Sequence, residues 1–211
     1  MPLILDGADQ RIDKLVEAHR SKLEKLWGNQ ELKKPIVFLL QSRKDIDRIR
    51  DGKTDDRLVG WFWKDRFVFI LHPDRFESDS CFSKNEFEHV LAHELFHYYF
   101  STITGGSAAW LDEGMACAFA GQKYTAAKIT KSHVQKMLEC YFDFDRSLFA
   151  ASTVTTESLV QHFGKKKLFT FLKDQKGRPR NPTDFRESFK KYFGFDDVEK
   201  EIRKLIKKER S

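Results

Sequence analysis

The chain has 211 residues, 40% of them hydrophobic and 33% charged, with a formal net charge of +6. Length and composition predict a soluble globular chain, one compact domain or one domain with an appendage, large enough to bury a core. They exclude a bilayer-spanning segment, because no apolar run approaches the roughly 20 residues such a segment needs.

The opening MPLILDGADQ carries no basic region and only a short apolar patch, so no signal peptide is expected. Cys81, Cys117 and Cys140 show no paired spacing, which suits a reducing compartment and a cytoplasmic location. The basic excess is uneven. Residues 164–211 hold 16 Lys and Arg against 8 Asp and Glu. A solvated helical surface is the ordinary reading of such a stretch. An acidic partner or nucleic acid is the sharper alternative.

In chain order, Ile12, Leu15, Val16, His19, Leu23, Leu26 and Trp27 recur at helical spacing, with Gly28 as a C-cap. His19 then reads as a half-buried helix residue. After Pro35, the run IVFLL has the length of a strand. Residues 42–50 are charged and read as helix. The runs LVGWFW (58–63) and RFVFIL (66–71) flank Lys64-Asp65 and predict a β-hairpin, although the turn lacks the glycine that tight primed turns prefer. Ser83 to Glu86 fits a capping box, with Ser83 as N-cap and Glu86 reaching back. A helix through Phe100 follows. Gly105-Gly106 breaks it. Further helices are expected over 110–120, closed by Gly121, over 129–141, over 157–172 with an interruption near Gly164, and over 185–207. KGRPRNPTD (176–184) is the clear loop.

The stretch HELFH, residues 93 to 97, lies in the best-signalled helix. Residues four apart share one helix face. His93 and His97 can therefore aim two imidazoles at one metal ion. Glu94 is rotated about 100° from His93, beside that ion. A carboxylate there can take a proton from a zinc-bound water whose pKa the metal has already lowered. The bland alternative is a core helix with hydrogen-bonded histidines. A catalytic zinc site needs a third protein ligand. Downstream, WLDEGMA (110–116) begins the next helix. A short turn between the two helices can bring Glu113 against the first, while Asp112 points elsewhere.

HELFH followed by WLDEGMA resembles the gluzincin zinc metallopeptidases, the peptidase MA-like group that includes thermolysin and the M1 aminopeptidases. In the latter, HExxH is followed by a WLNEG-like segment with the third ligand. Trp110, Leu111, Glu113 and Gly114 match that segment. The resemblance implies one Zn2+ held by His93, His97 and Glu113, with Glu94 as general base in peptide hydrolysis. It implies an α+β, zincin-like fold: a small mixed sheet carrying the active-site helix, then a mainly helical C-terminal half that walls a cleft. Residues 1–30 are expected as an N-terminal helix, 31–122 as the sheet and zinc-binding helices, and 123–211 as the helical subdomain.

The resemblance also implies a substrate-binding edge strand, with Gly60, Trp61 and Phe62 as its candidates and a peptide or protein as substrate. An ordinary hairpin with aromatic core contacts fits those three residues equally well. Membrane partners are not expected. Nucleic acid is not favoured. Two features depart from the family pattern. LFAASTVTTESLV lacks the tyrosine that stabilises the oxyanion in M1 enzymes, and no GAMEN-like exopeptidase motif is present. Tyr124, Tyr141, His133 and His162 are the remaining candidates for that helper, with Tyr141 ranked first. Cys117 takes the place where thermolysin-like enzymes keep an acid that orients a ligand histidine. A buried apolar role suits the thiol better. The rival functional class is a binding or regulatory module that keeps zinc without turnover.

Overall fold

The computed structural model describes residues 10–28, 33–63, 67–140, 144–176 and 181–208. The chain is a mixed α and β protein, mostly helical, with one three-stranded sheet among the described residues. None of the described helices is long and apolar enough to cross a membrane. Two compact units are distinguished, residues 1–99 and 100–211.

The first unit begins with α1 (Gln10–Leu26). Ile12, Val16, His19 and Leu23 lie one turn or two turns apart and are buried, so one stripe of the helix faces inward. His19 is 5% exposed, deeper than its half-buried expectation. Its Nε2 lies 3.7 Å from a Glu88 carboxylate that is itself 56% exposed. Burial outweighs that weak attraction and pushes the His19 pKa below 6.5, with Lys22 adding to the effect.

The sheet comprises β1 (Ile36–Leu40), β2 (Gly60–Trp63) and β3 (Phe67–Leu71), in the order β1-β3-β2. β1 runs parallel to β3 and β2 antiparallel to it, which makes the sheet mixed. The runs IVFLL, LVGWFW and RFVFIL supply these strands, with β2 starting two residues and β3 one residue into its run. The connecting residues 64–66, with the expected turn, lie outside the described residues. Leu71 and His72 extend the pairing through N–H bonds to Val59 and Leu40 carbonyls.

Helix α2 (Arg43–Ile49) follows Ser42 as expected. Its Arg43 pins the approach to β2. The guanidinium donates to the carbonyls of Asp55, Asp56 and Leu58 at 3.0, 3.0 and 2.7 Å, to the Thr54 hydroxyl at 3.2 Å, and to the Asp79 carbonyl at 2.8 Å. The Arg43 backbone N–H also donates to the Asp79 carboxylate, which holds that group below the usual carboxylate range. One planar fork thus fixes a loop without regular structure, and with it the start of β2. A 3-10 turn (Pro73–Arg75) and the one-turn helix α3 (Phe76–Asp79) interrupt the stretch before the capping box; the sequence reading omits both.

Helix α4 (Phe87–Thr104) opens from a 3-10 turn over Lys84–Glu86. The Glu86 carboxylate accepts from the Ser83 backbone N–H at 2.8 Å and from its hydroxyl at 3.0 Å, so the capping signal is real. Leu91, Ala92, Leu95, Phe96, Tyr98 and Tyr99 are all at most 3% exposed.

In the second unit, α5 (Ala109–Ala120) ends at Gly121, whose left-handed φ of 74° closes it as the sequence predicts. α6 (Lys131–Glu139), α7 (Phe149–Phe163), α8 (Lys165–Asp174), α9 (Pro182–Phe193) and α10 (Val198–Lys208) complete the chain. α7 begins eight residues before the expected 157, and Gly194 divides the last expected helix in two. Trp110 meets the rings of Phe185 and Phe189 at 6.3 and 6.0 Å, and Phe171, Phe189 and Phe193 form the aromatic core around it. α5 and α7 pack so closely that a Cβ on Gly114 would lie 2.4 Å from the Ser152 carbonyl oxygen and 2.4 Å from the Thr156 hydroxyl.

Two expectations follow. Gly114→Ala gains about 1 kcal/mol of helix propensity, yet its methyl group meets backbone it cannot displace. The expected net effect in urea unfolding is a loss of about 1–3 kcal/mol; equal or greater stability would show that α7 can retreat. For His19, the folded pKa is the lower one. Stability is therefore unaffected above pH 6.5 and falls as pH drops below it, because the unfolded chain then binds the extra proton. Urea unfolding at pH 7.5 and 5.0 should show a smaller acid loss for His19→Gln than for wild type.

Candidate metal centre

Helix geometry aims His93 and His97 at one point. Their Nε2 atoms are 2.9 Å apart. The ligand atoms of His93, His97 and the Glu113 carboxylate all lie within 4.8 Å of one another. Among the described residues this is the one group of three or more His, Cys, Asp or Glu side chains with that geometry. His97 is 6% exposed, and Glu113 is partly covered.

This donor set fits a divalent cation. Two neutral imidazoles and one carboxylate give a net charge of −1. Ligand atoms about 2.0–2.2 Å from a tetrahedral zinc ion are about 3.3 Å from one another. The two Nε2 atoms need only a few tenths of an ångström of adjustment to reach that spacing. The Nε2 convergence also leaves each Nδ1 pointing outward, the arrangement in which a second partner can fix the ring.

Glu94 sits beside the pair on α4, and β2 comes up against it. A Cβ on Gly60 would lie 3.0 Å from Glu94 Cγ and 3.5 Å from Cδ. Any side chain at this position would require Glu94 to give by a few tenths of an ångström, and glycine spares it that shift. Two residues on, the Phe62 ring stacks on His97, with centroids 5.9 Å apart and planes 22° apart. Strand alternation sends Trp61 to the opposite face, where it stacks on Phe69 at 5.0 Å under the Arg50 guanidinium. Of the three edge-strand candidates, Gly60 and Phe62 face the histidine helix and Trp61 does not.

Tyr141 lies outside the described residues. His133 caps α6: its Nδ1 accepts from the Thr130 N–H at 3.1 Å, and its own N–H donates to the Thr130 hydroxyl at 3.3 Å. His162 packs edge-on against Phe163 near the end of α7. Both have structural work. His89 is exposed on α4 and is not one of the three-residue group.

Tyr124 is different. Gly121 turns the chain back after α5, and the Tyr124 hydroxyl is hydrogen-bonded to the Cys117 thiol, one turn beyond Glu113. Although Tyr124 keeps 39% of its surface exposed, partial desolvation, the thiol and the Glu113 charge push its pKa up to about 12. Cys117 itself is fully buried, as a small apolar residue would be. The sequence signal for Tyr124 was its position just past the helix-ending glycine.

No family model matches the chain, and no curated protein matches it.

The metal-binding capacity has a direct check. Zinc at 100 times its Kd should raise the unfolding free energy of the wild-type protein by about 2.7 kcal/mol. The gain should vanish in His97→Ala and shrink in Glu113→Gln. An unchanged wild-type Tm under zinc would mean that the group is not a metal site.

Proposed function

We propose that the chain is a zinc-dependent metallopeptidase of the gluzincin type, with a zincin-like fold. The observation that carries this reading is the convergence of His93, His97 and Glu113 within 4.8 Å on the helices that bear HELFH and WLDEG. The order and spacing of the two motifs support the same conclusion.

His93, His97 and Glu113 would hold the ion. When bound, zinc supplies Lewis acidity, lowering the pKa of a water and polarising a carbonyl. Glu94 takes the proton from the attacking water and delivers it to the nitrogen of the leaving amine. Peptide C–N cleavage then gives one carboxylate and one amine, and the water supplies the added atoms. Gly60 keeps β2 against the Glu94 side chain and so limits where the carboxylate can swing. Phe62 stacks on the His97 ring from β2, with centroids 5.9 Å apart, and so helps to orient it. β2 is an edge strand in the described sheet, so an extended peptide can add to it and present its backbone beside Glu94.

A second reading is a zinc-binding module without turnover. It is favoured by one observation: the phenol of Tyr124 is engaged with the Cys117 thiol.

Glu94→Gln separates the two. It should keep one zinc per chain and lose about 10²–10⁴-fold in kcat against a mixed peptide library. Zinc bound by wild type with no cleavage would leave the binding module standing. Cleavage undiminished in Glu94→Gln would remove Glu94 from the mechanism.

A further inference from the structure

On the sheet face opposite Glu94, apolar side chains pass from buried to open across successive rows. Leu40 and Leu71 are paired at one end, 1% and 0% exposed. The next row is Phe38, Phe69 and Trp61. Its rings stack nearly parallel, at 4.9 Å and 16° and at 5.0 Å and 14°, and Trp61 is 8% exposed. The last row is Ile36, Phe67 and Trp63, in register across the three strands. Here Ile36 and Trp63 are each 49% exposed. Among the described residues three large hydrophobics are exposed, and this single row holds two of them. Singly scattered exposed apolar residues need no explanation. A registered pair flanking Phe67, one member of which shares β2 with Gly60, does.

Trp63 lies on β2, the edge strand. A peptide added to that edge alternates its side chains between the two faces, as β2 does. Those on one face sit beside Gly60 and Phe62, toward Glu94 and His97. Those on the other sit beside Trp61 and Trp63. Arg50 lies 5.6 Å from the Trp61 ring centroid, and that ring has almost no free surface. Trp63 has the room. It is three residues beyond Gly60, or about 10 Å along the strand.

We infer that Trp63, backed by Phe67 and Ile36, is a subsite for one large apolar side chain of an extended peptide. That side chain lies about three residues from the peptide residue that faces Gly60. The position relative to a cleaved bond rests on the peptidase reading; the subsite itself does not. The partner class is an extended segment with an aromatic or branched apolar residue at one fixed place. The exposed indole supplies a flat apolar surface, and the free strand edge supplies the backbone pairing that fixes the register.

The test uses a synthetic decapeptide library, the zinc-loaded wild type, Trp63→Thr and Trp63→Phe. Threonine keeps a strand-favouring residue at an exposed site, so the sheet should form. Mass spectrometry of the products gives the residue preference at each position from the cut. Wild type should prefer large apolar residues about three positions from the cut, by about 10–100-fold in kcat/KM over serine. Trp63→Thr should lose that preference and keep the others. Trp63→Phe should keep most of it. The same preference in Trp63→Thr as in wild type would overturn the subsite while leaving the peptidase reading intact.

A second measurement covers a protein that does not cleave. The library is passed over immobilised, zinc-loaded Glu94→Gln and over the Glu94→Gln, Trp63→Thr double variant. Enrichment of peptides with aromatic or branched apolar residues on the first only would support the subsite without the peptidase reading. Equal retention on both would overturn it. So would a wild type that discriminates among no peptides and self-associates in sedimentation through Trp63.

Discussion

Over its central turns, from Leu91 to Phe100, helix α4 has almost no face that tolerates water. Every residue there except His93, Glu94 and His97 is at most 3% exposed. A helix apolar around nearly its whole circumference must be enclosed by other elements. Within that enclosure sit two imidazoles whose Nε2 atoms meet at 2.9 Å. Buried polar nitrogens cost free energy unless they are partnered. Two adjacent imidazoles can share one hydrogen bond, but a cation satisfies both rings at once. Around this pair, β2 lies against Glu94, and the Phe62 ring stacks on His97.

Two glycines answer similar demands in different elements. In β2, Gly60 lets backbone approach the Glu94 side chain, where any Cβ would sit 3.0 Å from Cγ. In α5, Gly114 lets the backbone of α7 approach to where a Cβ would lie 2.4 Å from Ser152 and Thr156 oxygens. Gly114 follows Glu113 directly, so the packing that it permits also fixes the carboxylate's helix. Propensity alone argues against glycine inside a helix or a strand. In each case the local cost, about 0.5–1 kcal/mol, is set against a close approach: a Cβ at Gly114 would meet backbone, and one at Gly60 would make the Glu94 side chain give by a few tenths of an ångström.

What could be read from the chain follows from how local each signal is. The capping box at Ser83, the left-handed cap at Gly121 and the i, i+4 histidines depend on residues within one or two turns, and all were legible. The three strands were legible because β-branched and aromatic runs are short and bounded. The start of α7 was not. ASTVTTES reads poorly as helix, because β-branched and hydroxyl residues compete with the helical backbone. In the structure, Thr153 and Ser158 turn that competition inward, donating to the carbonyls of Phe149 and Val154 at 2.9 and 2.8 Å. On the same helix, the Ser152 backbone and the Thr156 hydroxyl make the close approach to Gly114, a tertiary fact that periodicity does not encode. The contact of Tyr124 with Cys117 was not legible for the same reason: it depends on a chain reversal, which sequence spacing does not measure.

The basic excess of the last quarter has local uses that weigh on its interpretation. The Lys167 ammonium lies 4.7 Å from the centroid of Phe163 and 5.6 Å from that of Phe193, so part of its charge is spent on the aromatic core. Arg203 and Lys204 lie within 3.7 and 2.6 Å of Glu199 and Glu201 on the same helix. Arg186 donates to the Leu138 carbonyl at 3.2 Å, tying α9 to the end of α6. α10 buries Val198, Ile202, Leu205 and Ile206 along one stripe; its acids, Glu199 and Glu201, lie in the first turn, and its last turn carries Lys207 and Lys208. Cations interleaved with acids and rings make a surface of short-range pairs. A phosphate-binding surface needs the opposite arrangement, a stripe of one sign whose field adds up along the nucleic acid. On α10 the local pairing belongs to the first turns, where Arg203 and Lys204 meet Glu199 and Glu201; the last turn holds Lys207 and Lys208 with no acid among its described residues.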